Sequence, residues 1–386
     1  MNNLLPYQLE NRAIHSTALA FNRQMPLSVR RMTVLDIDSD EMPPGVVVTD
    51  DGSLMVSFYG PYANAVDVWL DNIRTQLKKD EKGIWSGRIP FSSAGHKPIR
   101  FSIDGTDVLN PLAPIGFGAS KPMNCIDIPE TECDFYYLKD VEHGTVCSEI
   151  FKSTVTGEFE ECLVYTPPGY MRGNEAFPIL YLQHGHGENE KCWLYQGKIN
   201  FIMDNLISEG NGTPCLIVMC NGMVQSKDRA GECIVDPYVF EQVLLDDVIP
   251  FVENRYRVKQ GKVNRALAGL SMGSMQTSII AFRHPDLFAW AGLFSGFLRN
   301  KLGDDDGHLE ILNEPERLSR EFSLIFRAMG IEDEYLGDFL EDDLMLKEKG
   351  FLSETSGPFV RKTYSGAHEW QVWRKCAHDF LKIIFK

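Results

Sequence analysis

The sequence has no Cys-x-x-Cys pair, no apolar run long enough to cross a bilayer, and few positive charges for its length. Its 38 lysines and arginines stand against 54 aspartates and glutamates, a net charge of −16. A surplus of that sign repels phosphate backbones and anionic headgroups, so neither a nucleic-acid nor a membrane partner is expected. The nine cysteines make an odd count, and Cys162, Cys215 and Cys220 lie inside apolar runs. Such placement argues against a disulfide framework and for reduced thiols. The opening residues Met1 to Glu10 lack a basic stretch followed by an apolar one, so no secretory leader is read and a cytoplasmic setting is expected. No internal repeat or compositionally biased segment is present. Nothing in the composition bars a homo-oligomer.

What is present suits a large folded chain. The 386 residues are 44% hydrophobic, enough for two domains with full cores. Residues 1–44 are mixed and polar and read as an extension. From 45 to 130 the texture is all-β: Val46-Val47-Val48, Leu54 to Phe58, Ala65 to Leu70, Ile84 to Ile89 and Pro98 to Ile103 are short β-rich runs between turn clusters. Asp104-Gly105 after the last of these predicts a type I′ hairpin turn. The spacing predicts a small sandwich. Residues 131–145 read as a linker. From 146 to 386 apolar strands alternate with helical patterns, which predicts a parallel sheet covered on both faces. The segment 238–256 has helical spacing, with Pro250 expected to kink or break it.

The second region carries Gly269-Leu270-Ser271-Met272-Gly273, preceded by the strand-like Ala266-Leu267-Ala268 and followed by a helical run from Met275. This is the G-x-S-x-G pattern in the strand–turn–helix context that gives it meaning. The turn is so tight that a Cβ at either glycine would collide with a neighbouring element. A serine there is lifted clear of the backbone, with helix N–H groups behind it for an oxyanion.

Serine is a weak nucleophile until a neutral imidazole takes its proton, and that imidazole needs a carboxylate to orient it. In this chain order the acid and then the histidine follow the serine. His284 sits at the end of the elbow helix, His378 in a terminal amphipathic helix, and His308 in what reads as a solvated loop after Asp304-Asp305-Asp306. His368 lies in Gly366-Ala367-His368-Glu369-Trp370, a loop between a short strand and a helix, and is the expected base. A strand over 322–328 empties into Glu332-Asp333-Glu334. Asp333 is the first choice of acid, with Glu332 and Glu334 as competitors on spacing alone. The loop Gln183-His184-Gly185-His186-Gly187 follows another strand, so the N–H groups of Met272 and His186 are the expected oxyanion donors. The pair His184-x-His186 also admits a metal reading, but alternate residues on a turn diverge and no carboxylate cluster is nearby; no metal is expected.

Together these residues resemble the Putative esterase group of α/β-hydrolases, which includes feruloyl and acetyl-xylan carbohydrate esterases and enterochelin esterases. The resemblance covers most of the chain and is carried by Gly269 to Gly273 with Gly366 to Arg374, and also by Val164-Tyr165-Thr166-Pro167-Pro168-Gly169-Tyr170, Gln196-Gly197 and Asn221-Gly222. It implies an α/β-hydrolase fold preceded by an immunoglobulin-like sandwich related to carbohydrate-binding modules. The family's Gly-Thr-Glu-Asp segment is matched by Gly330-Ile331-Glu332-Asp333. Family position also places Trp193, Asn221 and Trp370 around the substrate. Where relatives carry a glycine-rich run after His-Gly, this chain has His186 and Glu188. The resemblance implies a serine esterase without cofactor, acting on feruloyl or acetyl esters of plant-type oligosaccharides. A siderophore esterase, a sugar acyltransferase and a non-catalytic carbohydrate-binding protein are the alternatives.

Overall fold

The computed structural model describes residues 45–49, 52–128, 130, 133–227, 232–236, 238–301, 303, 305–351 and 357–386. The expected extension 1–44 lies outside them. Two compact units are present, the first ending at Leu138 and the second running from Lys139 to Lys386.

In the first unit every strand pairing is antiparallel among the described residues. One sheet has the order Val46–Val48, Leu54–Tyr59, Ile84–Ile89, Lys78–Lys79. The other is built on Ile73–Gln76, Val66–Leu70, Gly95–Ile103, Lys121–Ile128 and Ile115–Gly118. Alternate residues of both sheets, Val56, Phe58, Val66, Val68, Ile99, Phe101 and Ile126 among them, bury into one apolar core. The period-2 pattern therefore does what it predicts, each strand giving one face to the core. Asp104 (φ 49°) and Gly105 (φ 86°) form the hairpin turn, with Ile103 opposite Thr106.

The second unit is an eight-stranded sheet. In chain order its strands are β1 (Thr145–Lys152), β2 (Phe159–Thr166), β3 (Ile179–Gln183), β4 (Leu216–Cys220), β5 (Arg265–Leu270), β6 (Trp290–Phe294), β7 (Leu324–Gly330) and β8 (Phe359–Tyr364). Their spatial order is β1-β2-β4-β3-β5-β6-β7-β8. The run from β4 to β8 is parallel, as the uninterrupted apolar strands require, since β3, β4, β5, β6 and β7 are buried on both faces or nearly so. The parallel expectation fails at one edge: β1–β2 and β2–β4 are antiparallel. Strand β1 also begins inside the stretch read as a linker, because its exposed, polar-rich sequence gives only one face to the sheet.

Two further expectations are corrected. The helix around Pro250 does not break. It runs through Phe240–Gln242, a wider π-type segment Val243–Val248, and Ile249–Arg255. Proline has no N–H to donate and its ring crowds the preceding turn, so the backbone widens ahead of Pro250 and the helix continues. His308 is not in a solvated loop but 3% exposed on a short helix, its Nε2 donating to the Leu298 carbonyl at 2.7 Å. Among the described residues no helix is long and apolar enough to cross a membrane.

Candidate active site

Strand β5 ends at Leu270 and helix α1 (Met272–Arg283) starts two residues on, three residues before the helical run read from Met275 in the sequence. Between them Ser271 adopts φ 51°, ψ −118°. A non-glycine residue there costs about 1–3 kcal/mol and persists only when its surroundings enforce it. The surroundings are the two glycines. A Cβ on Gly269 would lie 2.4 Å from the Gly273 carbonyl oxygen, and one on Gly273 would lie 2.4 Å from the His184 carbonyl oxygen. The Ser271 N–H donates to the Phe294 carbonyl at 2.9 Å, tying the turn to β6.

The three residues expected to act together do meet. His368 Nε2 is 2.9 Å from Ser271 Oγ, and His368 Nδ1 is 2.9 Å from Asp333 Oδ2. Asp333 is 5% exposed, and its other oxygen accepts the Tyr335 N–H at 3.0 Å. The competing carboxylates are elsewhere. Glu332 turns its carboxylate to the Gly366 N–H and brackets the histidine loop, while Glu334 is exposed. Tyr335 and Trp373 each set an edge-on ring 5.1 Å from the His368 imidazole, which fixes its plane.

The loop after β3 runs over the serine. A Cβ on Gly185 would lie 3.3 Å from Ser271 Cβ and 2.7 Å from Leu270 Cδ1, so a larger residue would have to push the Leu270 side chain aside. His186 follows on this loop with an exposed side chain, and Met272 opens α1. His184 is 1% exposed, and both ring nitrogens are committed to the backbone: Nδ1 donates to the Gly185 carbonyl at 2.8 Å and Nε2 accepts the Gly222 N–H at 2.9 Å. Burial pulls its pKa down to about 4, so it is a neutral strut. That removes it from the metal reading. Among the described residues no group of three or more His, Cys, Asp or Glu is placed to hold a metal ion.

The expected substrate contacts divide. Trp193 is 1% exposed and donates its indole N–H to the Gln183 carbonyl at 2.7 Å. It stacks edge-on against Trp370, itself 5% exposed, at 5.2 Å. Both indoles thus lie in the core under the loop rather than on an open wall, a distinction that aromatic residue type alone does not carry. Asn221 is partly exposed and accepts the Met223 N–H at 3.0 Å. Among the described residues eight cysteines are free thiols, and burial pushes the Cys215 thiol up to about 12, which leaves it a packing group.

Comparison with known proteins follows the same lines. The family model described as "Putative esterase" matches residues 153–380. An endo-1,4-beta-xylanase/feruloyl esterase of Xylanibacter ruminicola is 34% identical over 320 residues, 81% of this chain and 41% of that protein. The chain thus spans less than half the length of the curated relatives it first matches. The feruloyl esterase module from Clostridium thermocellum, solved with sinapinate, covers 65% of this chain and 91% of its own, at 23% identity and a TM-score of 0.53. The enterobactin esterase of Shigella flexneri covers 85% of this chain and 92% of its own, at 14% identity and a TM-score of 0.60. These two share the α/β-hydrolase fold. On the family match, which takes in the serine turn, the acid loop and the histidine loop, the chain belongs to the Putative esterase family.

Proposed function

We propose that the protein is a serine carboxylic-ester hydrolase working through Ser271, His368 and Asp333, with feruloyl or acetyl esters of plant-type oligosaccharides as substrates. The observation that carries it is the unbroken chain Ser271 Oγ–His368–Asp333, with 2.9 Å at each step. In this reading His368 Nε2 takes the serine proton as Oγ attacks the ester carbonyl. Asp333 holds the Nδ1–H tautomer and stabilises the imidazolium. The N–H groups of Met272 and His186 receive the oxyanion, about 3 kcal/mol for each donor. His368 then protonates the departing alcohol, and water, activated by the same imidazole, releases the acid from the acyl-enzyme. The route uses side chains and backbone alone.

The substrate class is supported by the 34% identical relative, whose name joins xylanase and feruloyl esterase. Asn221 is placed at the substrate in this reading, while Trp193 and Trp370 support the loop from below. The two antiparallel sheets on one core favour an immunoglobulin-like sandwich for the first unit. The free thiols favour a reducing, cytoplasmic setting. The test is a panel of methyl ferulate, acetylated xylo-oligosaccharide and a catecholate siderophore triester. A higher kcat/KM for one of the first two is expected. Preference for the siderophore would overturn the substrate class, and transfer to an added sugar in place of hydrolysis would make the enzyme an acyltransferase.

A further inference from the structure

Helix α1 has two apolar faces with different neighbours. Ile280, Ala281 and Phe282 join the main core of the α/β unit. Met272, Met275 and Ile279 share another face by their helical spacing and form a small cluster apart from that core, with Met223 packed half-buried against it. Met223 sits on the loop after β4, and that loop is fixed from three directions. The Asn221 side chain accepts the Met223 N–H at 3.0 Å, and the Gly222 N–H donates to His184 Nε2 at 2.9 Å. The Gly222 carbonyl accepts the Gln276 side-chain amide, from α1, at 3.0 Å. The cluster begins at Met272, the residue after Ser271, so it adjoins the nucleophile.

The order of the strands says which end of an ester meets this patch. Ser271 follows β5. His368 follows β8, to one side of β5 in the sheet, and the Met223 loop follows β4, to the other. The alcohol half of the ester must lie at His368 Nε2, which gives it a proton, so the acyl half is directed away from it, towards β4. We infer that Met223 is a specificity-determining residue for the acyl group, at the open edge of a thioether patch that takes a large planar acyl group in preference to acetyl. The thioethers of Met223, Met272 and Met275 are polarisable, adapt their shape and make favourable contacts with an aromatic ring. An acetyl methyl has little apolar surface to gain from such a patch, whereas a phenylpropenoyl ring buries its own face and that of Met223. The inference rests on the proposed function, since it selects the acyl group of the same ester.

The test uses the full chain with p-nitrophenyl ferulate and p-nitrophenyl acetate, which share one alcohol and differ in the acyl group. The parent is expected to show the higher kcat/KM on the ferulate, and Met223→Ala to lower the ferulate-to-acetate ratio of kcat/KM by about tenfold. Met223→Leu keeps an apolar side chain of similar volume and should hold most of the ratio. Met223→Gln keeps the length, ends in an amide and should lose it. Losses by equal factors on both esters overturn the inference, because a loosened fold or a displaced Met272 N–H slows both alike. An unchanged ratio, or a parent that prefers the acetate, overturns it as well. If Met223→Ala does not fold, an unchanged ratio in Met223→Gln overturns it. Ser271→Ala, run alongside, separates the two readings: activity surviving there discards the acyl-enzyme itself, whereas an inactive Ser271→Ala beside an unchanged ratio in Met223→Ala discards only the role of Met223.

Discussion

At the residue scale, three adjacent carboxylates have three different fates. Glu332 caps the Gly366 N–H, Asp333 turns inward to His368, and Glu334 faces solvent. Sequence spacing left these open because which way each side chain points depends on β8 and its loop, about thirty residues downstream. The assignment predicts that Asp333→Asn lowers kcat by about 10⁴-fold through the wrong imidazole tautomer. Glu332→Gln and Glu334→Gln should lose far less, and a reversed order in steady-state kinetics would move the acid. His184 gives a second prediction, on stability. Its folded pKa of about 4 lies below the ordinary 6.5, so the unfolded chain binds the proton first as pH falls. Stability from this residue is intact above pH 6.5 and is lost between 6.5 and 4, amounting to about 2 kcal/mol at pH 5. Denaturant titrations at pH 7 and 5 should therefore show a smaller acid loss in His184→Asn than in the parent. An equal loss would mean His184 is protonated in the fold.

At the element scale, the serine turn was the most legible part of the chain because its requirements are local. Two glycines, a strand before and a helix after are all within a dozen residues, and the collisions at Gly269 and Gly273 are with backbone that cannot yield. Gly273→Ala is accordingly expected to cost at least about 2 kcal/mol in chemical denaturation, and no change would mean the turn is looser than described. The acidic run 332–343 was the least legible. It reads as a solvated face, yet helix Leu336–Glu348 grows from it and Asp342 and Asp343 turn inward. Arg327 on β7 reaches Asp343 at 2.6 Å, and Arg299 reaches Asp342 at 2.9 Å. Those arginines come from strands or loops distant in sequence, so no local pattern announces that the acids are paired. The aromatic residues fail for a related reason: Trp193 has the composition of a pocket wall and the burial of a core.

At the scale of the whole molecule, the division into an antiparallel β unit and an α/β unit was readable from the change of period, and the boundary was not. The second unit begins at Lys139, and its first strand starts at Thr145 with an alternating, half-exposed sequence that looks like a continuation of the linker. The parallel strands were readable because burial on both faces demands continuous apolar runs. All three residues of the proposed triad belong to this unit, on loops following β5, β7 and β8, at the strand ends where such sheets place their chemistry. The central claim is that Ser271 is the nucleophile, and covalent trapping tests it most directly. Incubation with a fluorophosphonate followed by peptide mass analysis should place a single adduct on Ser271, in step with loss of esterase activity, and His368→Ala should slow the labelling sharply. An adduct on another residue accompanying that loss, or full activity after Ser271 is labelled, would contradict the account.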